Sequence, residues 1–318
     1  MIKNPPLIKK VVEEMGGTIE KIVPERGYFS INIDGEKIFV SRKFQIASDF
    51  FSGNALTTYK DLTYMALKGR DIPTPTSVCI YRKTFSEESL SEKLSSLHYP
   101  LVIKDATGSN SRGVFTSVKN LDSAKEIITR EIKNFSSLIV QEMIFGKEYR
   151  VLLLKNKAIG VLEMIPPRIF GDGKSTVKEL IEKKQAKKYA KTKFDKALDE
   201  ILREQAVNTE SVLENNQEIF IKKNSCLAEG GETRNVTALI NPEIERVCAR
   251  AARTIGKYLI GIDLICENID KDPTQQVFSI LEINGKPDLY IHYKPTHGET
   301  QNVIKDIIEF ILQLKKEQ

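Results

Sequence analysis

Three oxygen-bearing side chains in the last quarter of the chain are of the right types to hold a hard cation. Asp263 lies in G-I-D-L-I-C, which begins at Gly261, and Glu282 and Asn284 lie in V-F-S-I-L-E-I-N-G-K-P, which ends at Pro287. Each run is short, apolar and β-branched and ends in a loop, the pattern of adjacent buried strands. Glu282 and Asn284 are two residues apart, so on a strand both leave the same face. An all-oxygen set suits Mg²⁺ held against phosphates better than zinc. Two core strands with polar ends have the same pattern, and the stretch alone admits both readings.

Other segments carry anion chemistry. D-A-T-G-S-N-S-R-G-V, from Asp105 to Val114, directly follows the strand pattern P-L-V-I-K. Small residues in such a loop let backbone N–H groups wrap an anion, and Lys104 at the strand end aims a cation at the same place. A surface hairpin is the alternative. In L-I-V-Q-E-M-I-F-G-K-E-Y-R-V-L-L-L, residues 138–154, an apolar edge followed by an acid matches an adenine slot with a ribose-binding carboxylate. A hairpin with exposed charges matches it equally. Gly230-Gly231 beside Arg234 suggests close approach to an anionic group such as a substrate carboxylate. G-D-G-K-S-T, at Gly171–Thr176, is not a Walker loop, because the required first glycine is Arg168. It is expected to make a turn and cap a helix with Ser175 or Thr176. His292 and His297 are five apart in a segment containing proline, which favours substrate contact or structure over metal ligation, and His98 is read as incidental.

The elements that must position these residues alternate between helix and strand patterns. Residues 3–15 form a short amphipathic helix stopped by Gly16-Gly17, followed by two alternating runs joined at Asp34-Gly35, a hairpin signal. Helices are expected over 58–68, 87–97, 177–184, 242–258 and 302–314. The stretch 183–216 is dense in Lys, Glu and Gln and is expected to be a charged insertion, its run K-K-Q-A-K-K-Y-A-K forming a solvated helix face or a mobile segment rimming the site. Forty-eight basic against 43 acidic side chains leave a net charge of +5, too balanced for nucleic acid without a concentrated patch. Four cysteines without C-x-x-C indicate neither a disulfide framework nor zinc. No run has membrane-spanning length and the N-terminus lacks a signal-peptide core, so a reduced cytoplasmic compartment is expected.

Taken in order, these segments resemble the ATP-grasp superfamily, and within it the ligase domains of cyanophycin synthetase and of the bifunctional glutathione synthetase. The resemblance is carried by Y-K-D-L-T-Y-M-A-L-K-G-R-D-I-P-T-P, Y-P-L-V-I-K with its loop, V-Q-E-M-I-F-G-K-E-Y-R-V, G-D-G-K-S-T-V-K-E-L-I, G-G-E-T-R-N-V-T, G-I-D-L-I and L-E-I-N-G-K-P. I-H-Y-K-P-T-H-G adds to it, and coverage runs over about residues 55–312. The fold implied is α+β (α/β), with nucleotide held between two α+β subdomains: an N-terminal cap at 1–56, a small lid subdomain at 57–143, and a large catalytic subdomain at 144–318. The resemblance implies that Lys60 and Lys104 bind ATP phosphates beneath a flexible loop containing Ser109, Ser111 and Gly113. It implies that Glu142 and Met143 border the adenine, that Glu148 takes the ribose hydroxyls, and that Asp263, Glu282 and Asn284 hold Mg²⁺, two ions being expected with Mn²⁺ able to substitute. Arg150 would lie near an acyl phosphate. Relatives have an arginine near Met164 and an aspartate where Asn235 stands; both departures fall where the substrate would sit.

The chemistry implied is ADP-forming ligation of a carboxylate to an amine, with an amino acid or peptide as substrate. Arg150, Arg168 and Arg234 all fall in site-forming segments, which favours an acidic carboxylate donor. Neither nucleic acid nor membrane is an expected partner, and a homodimer is the expected assembly. A phosphotransferase using the same nucleotide cradle and a non-catalytic nucleotide-binding module are the alternatives.

Overall fold

The computed structural model describes residues 4–23, 28–41, 56–107, 113–185 and 192–316. The chain divides into one unit of residues 1–162 with 235–318 and another of residues 163–234. The expected boundaries at 56/57 and 143/144 both fall inside the first. Helix α1 (Asn4–Glu14) leads into an antiparallel meander of β1 (Thr18–Val23), β2 (Tyr28–Ile33) and β3 (Glu36–Ser41). Asp34 and Gly35 turn β2 into β3 with φ of 52° and 80°, the left-handed pair that a two-residue hairpin needs. Helix α2 (Lys60–Lys68) follows.

An antiparallel four-stranded sheet comes next, made of β4 (Ser77–Tyr81), β5 (Leu101–Asp105), β6 (Val114–Val118) and β7 (Ser137–Glu142) in the order β4-β7-β5-β6. Alternate residues Leu101, Ile103, Leu138 and Val140 point to one face. There they meet Leu90 and Leu94 of α3 (Leu90–Leu94) and Ala124 and Ile128 of α4 (Leu121–Glu131). Period-2 strands against period-3.6 helices make this a self-contained core.

The 163–234 unit has its own core. Strands β10 (Arg168–Phe170) and β11 (Glu218–Phe220) form an antiparallel ribbon whose Ile169 and Ile219 face inward. They pack with Val177 and Ile181 of α5 (Val177–Gln185) and Leu198 and Leu202 of α6 (Lys196–Glu204). Thr176 and Glu179 form a reciprocal capping box at the start of α5 (2.8 and 3.3 Å), and Asp172 collects the N–H groups of Lys174 and Ser175. G-D-G-K-S-T is therefore a turn and a helix cap. Within the stretch 183–216 lies helix α6. Asp195 caps it through the N–H groups of Ala197 and Leu198, and the leucines at 198 and 202 give it an inner side. Most of the lysine run, residues 186–191, lies outside the described residues. No helix among the described residues is long and apolar enough to cross a membrane.

A five-stranded sheet is built on β8 (Lys147–Leu154), β13 (Leu259–Cys266) and β14 (Phe278–Asn284), antiparallel in that order, with β9 (Lys157–Ile165) and then β12 (Glu232–Asn235) on the other side of β8. One face buries Tyr149, Val151, Leu153, Ile260, Ile262 and Leu264 against Ile244, Cys248 and Ala252 of α7 (Pro242–Ile255). Asn241 caps α7 at its N-terminus, and Gly256, with φ of 75°, ends it. The opposite face changes character along its length. At one end Leu152, Leu154 and Leu259 pack with α1 and with Val303, Ile304 and Ile307 of α9 (Val303–Lys316). Two residues further along β8 the same face carries Arg150. After β14 the chain returns across this face as a strap through Pro287 and α8 (Tyr290–Tyr293) to Gly298. It passes over two strand glycines. A Cβ at Gly261 would stand 3.1 Å from Cβ of Pro287, and one at Gly160 would stand 2.7 Å from Nδ1 of His292. Absence of a side chain at these points lets the strap lie against the backbone. Gly160→Ala is expected to destabilise the protein by about 1–3 kcal/mol through overpacking. The check is a lower urea midpoint at unchanged slope; an unchanged midpoint would show that the strap does not depend on this contact.

Candidate active site

Strand register assembles the site of the first unit. Arg150 on β8 stands directly opposite Asp263 on β13, and Asp263 directly opposite Glu282 on β14. Directly opposed residues share a face, so the three form a row across three strands. The β13–β14 register shifts immediately after Asp263, and such a bulge re-aims the neighbouring side chains. Arg150 donates from Nε and Nη2 to the two oxygens of Asp263 at 2.6 and 2.7 Å, and the side-chain amide of Asn284 donates to Oδ2 at 3.1 Å. Asp263, followed by Glu148 and Glu282, holds the guanidinium charged more firmly than usual and outweighs its burial.

Two lysines face this row. Lys60 opens α2, and its Nζ lies 3.3 Å from Oε1 of Glu282. Its backbone N–H donates to the carbonyl of Ala106 at 2.8 Å, which ties the helix to the end of β5. Lys104, near the end of β5, is only 9% exposed. Burial pulls its ammonium down to about 8; Glu282 and Asp263 oppose that shift and Lys60 reinforces it. A cleft beside them is lined by Thr57, Thr63, Lys104, Gln141 and Glu282. Glu148, two residues before Arg150, extends the same face.

The remaining predicted residues are distributed as follows. Glu142, at the end of β7, accepts from the backbone N–H of His98 at 2.9 Å and lies 2.7 Å from its Nδ1. His98, set aside as incidental, is thus the partner that orients it. The N–H of Met143 donates to the carbonyl of Pro100. Gly113 has φ of 65°, and a Cβ there would come within 2.9 Å of the Phe135 ring. Ser109 and Ser111 lie outside the described residues. His292 is fully buried, and neither ring nitrogen has a hydrogen-bond partner among the described residues. Burial and then the charge of Arg150 push it down to about 3, so it is neutral, a packed residue of the strap.

Arg168 and Arg234 belong to the 163–234 unit. Arg168 is buried between Glu218 and Glu232, stacks on Phe170 at 5.2 Å, and shares Glu232 with Lys184. Arg234 pairs with Glu163 at 3.0 Å. All three arginines expected to select an acidic donor are therefore already matched by carboxylates. Spacing alone did not show these partners, because Glu218 and Glu232 are 50 and 64 residues from Arg168 in sequence.

As a cation site, the row fits in donor chemistry. Two carboxylates and an amide oxygen are hard ligands on adjacent strands, and Glu282 and Asn284 share a face. Cationic side chains occupy the same carboxylates, Arg150 on Asp263 and Lys60 on Glu282. The carboxylate pair thus already sits in a positive environment that a metal would share.

Residues 57–288 match the profile of the ATP-grasp domain family. The bifunctional glutathione biosynthesis protein of Clostridium perfringens is 26% identical over 296 residues, which is 87% of this chain and 37% of that protein. The cyanophycin synthetase of Synechocystis sp. is 28% identical over 271 residues, 81% of this chain and 31% of the relative. The chain thus spans about a third of the length of these relatives. The crystal structure of a bifunctional glutathione synthetase from Pasteurella multocida superimposes with a TM-score of 0.70 at 18% identity, covering 97% of this chain and 44% of that one. That likeness concerns the fold.

The lowered Lys104 fixes a sign for pH dependence. Between about 8 and the ordinary 10.5 the unfolded chain holds a proton at this lysine that the folded chain has released, so stability rises with pH there. Lys104→Met is therefore expected to be more stable than the parent below pH 8, with the advantage shrinking towards pH 10.5. Urea titrations at several pH values check this, and an advantage that is constant across the range contradicts it.

Proposed function

The chain belongs to the ATP-grasp family, and we propose that it is an ADP-forming, ATP-dependent ligase joining a carboxylate to an amine on amino-acid or peptide substrates. The observation that carries this reading is the row Arg150–Asp263–Glu282 with Lys60 and Lys104 facing it. Positive and oxygen-donor groups alternate there without any serine, cysteine or histidine nucleophile among them. Such a site suits phosphoryl transfer, where positioning and charge neutralisation do the work, better than covalent catalysis by the protein.

The reaction asks for three things. A carboxylate is a poor electrophile, and phosphorylation by ATP turns it into an acyl phosphate whose phosphate can leave. Lys60 and Lys104 bind the phosphate oxygens, and Lys104, buried and with its charge disfavoured in the free protein, gains most from an anionic partner. Arg150, held rigidly by both oxygens of Asp263, presents its remaining N–H groups to charge that develops on the acyl phosphate. Glu282 and Asn284, with Asp263, would hold divalent cations, two Mg²⁺ in this reading with Mn²⁺ able to substitute, which spread the charge on the transferring group. Glu148 takes the ribose, and Glu142 with Met143 the adenine edge. The substrate amine then attacks the acyl carbon, an amide forms, and phosphate departs. Arg168 and Arg234 are given no step, since carboxylates already hold them.

Phosphate release screened over single and paired amino acids and short peptides, with mass spectrometry of products, tests the proposal. Hydroxylamine should trap the activated carboxylate as a hydroxamate. ADP formation that no amino acid or peptide stimulates would sink it. Glu282→Gln and Lys104→Ala are expected to lower turnover by about 100-fold or more each, the scale for losing one charge-stabilising group. Circular dichroism should show the fold retained.

A further inference from the structure

At the far end of the strap that crosses the sheet from Pro287 to Gly298, the side chain of Asn235 bonds the returning chain. Its Oδ1 accepts from the backbone N–H of Thr237 at 3.0 Å and from Oγ1 of Thr237 at 2.7 Å. Its Nδ2 donates to the carbonyl of Glu299 at 2.7 Å, and its own backbone N–H donates to the carbonyl of His297 at 2.9 Å. Gly298, between those two carbonyls, has φ of 85° and lies against Asn235, whose Cβ is 3.2 Å from where a Gly298 Cβ would stand. The orientation of the carboxamide is itself fixed. Oγ1 of Thr237, which bonds Oδ1, also accepts from the N–H of Val161 on β9 at 2.9 Å. Oδ1 already receives two donors, so Nδ2 must be the atom that faces Glu299.

Further back along the strap, His292 meets Gly160 of β9 and is close enough to Arg150 to feel its charge, and Pro287 meets Gly261 beside Asp263. The strap therefore backs the Arg150–Asp263 pair, and Asn235 bonds its remote end. We infer that Asn235 is a positioning residue: its carboxamide latches the His297–Glu299 turn and so holds the strap that keeps Arg150 in place. An aspartate cannot do this. It is nearly the same shape and keeps both bonds from Thr237, yet it turns an N–H donor into an anionic oxygen pointed at a carbonyl.

Asn235→Asp isolates the latch. Hydrogen exchange of the full-length protein should quicken by about ten-fold or more at residues 296–301 while the cores keep their protection. The Nε–H resonance of Arg150 should shift or broaden in the same variant. Asn241→Ala, which removes the N-cap of α7, is the control for general loss of stability and should change neither readout. Thr237→Val removes the group that orients the carboxamide and should give the same changes in weaker form; it carries the test if Asn235→Asp does not fold. Both readouts are independent of turnover, so they can fail while the ligase reading stands, and the reverse. Unchanged exchange at 296–301, faster exchange spread evenly over the chain, or an unmoved Arg150 resonance would each overturn the inference.

Discussion

The bidentate bond between Arg150 and Asp263 joins β8 to β13 through side chains as well as backbone, at the point where their shared face turns from apolar to charged. A nearly buried ion pair is costly to form, and removal of either partner from such a pair leaves an uncompensated charge worth about 3–5 kcal/mol of instability. The two-pronged bond fixes the direction of the guanidinium, and the other polar groups of the row are arranged about it. Glu282 follows from it by register, Asn284 bonds the same carboxylate, and Lys104 lies within reach of its field.

Seen along the strands, that face is a device with two ends. Leu152, Leu154 and Leu259 close one end under α1 and α9. The charged end cannot be covered in the same way, since burying unpaired oxygens and ammonium groups in apolar surroundings would cost several kcal/mol each. The strap from Pro287 to Gly298 separates the two, lying close because Gly160 and Gly261 leave the backbone bare. It contributes a neutral imidazole at His292, without a hydrogen-bond partner among the described residues, where a charged one would repel Arg150. Apolar packing thus supplies rigidity right up to the residues that handle charge.

The 163–234 unit solves a different problem. Its small core of Ile169, Val177, Leu198 and Ile219 is bordered by a four-membered cluster of Arg168, Lys184, Glu218 and Glu232 whose formal charges cancel. Cancellation makes the cluster a fastening for β10 and β11 and removes it as a source of surplus positive charge. Arginines that look like substrate anchors in a linear sequence meet carboxylates in the fold, Arg168 with Glu218 and Glu232 and Arg234 with Glu163.

Much was legible without coordinates where the determinant is local. The hairpin at Asp34-Gly35 follows from two residues that tolerate positive φ, the cap at Thr176 from its spacing to Glu179, and the common face of Glu282 and Asn284 from the two-residue period of a strand. Ordered motifs likewise pointed to the family, which the match over 57–288 bears out. Pairings across long separations were not legible. Arg150 finds Asp263 across 113 residues, Asn235 finds Glu299 across 64, and Arg168 finds two glutamates that no spacing rule connects to it. The residue types in the sequence determined which chemistry is on hand, because hydrogen-bonding and charge belong to each side chain. Which carboxylate each arginine meets was decided only by the tertiary fold, because a charge is neutralised by whatever register and packing bring within a few ångströms of it.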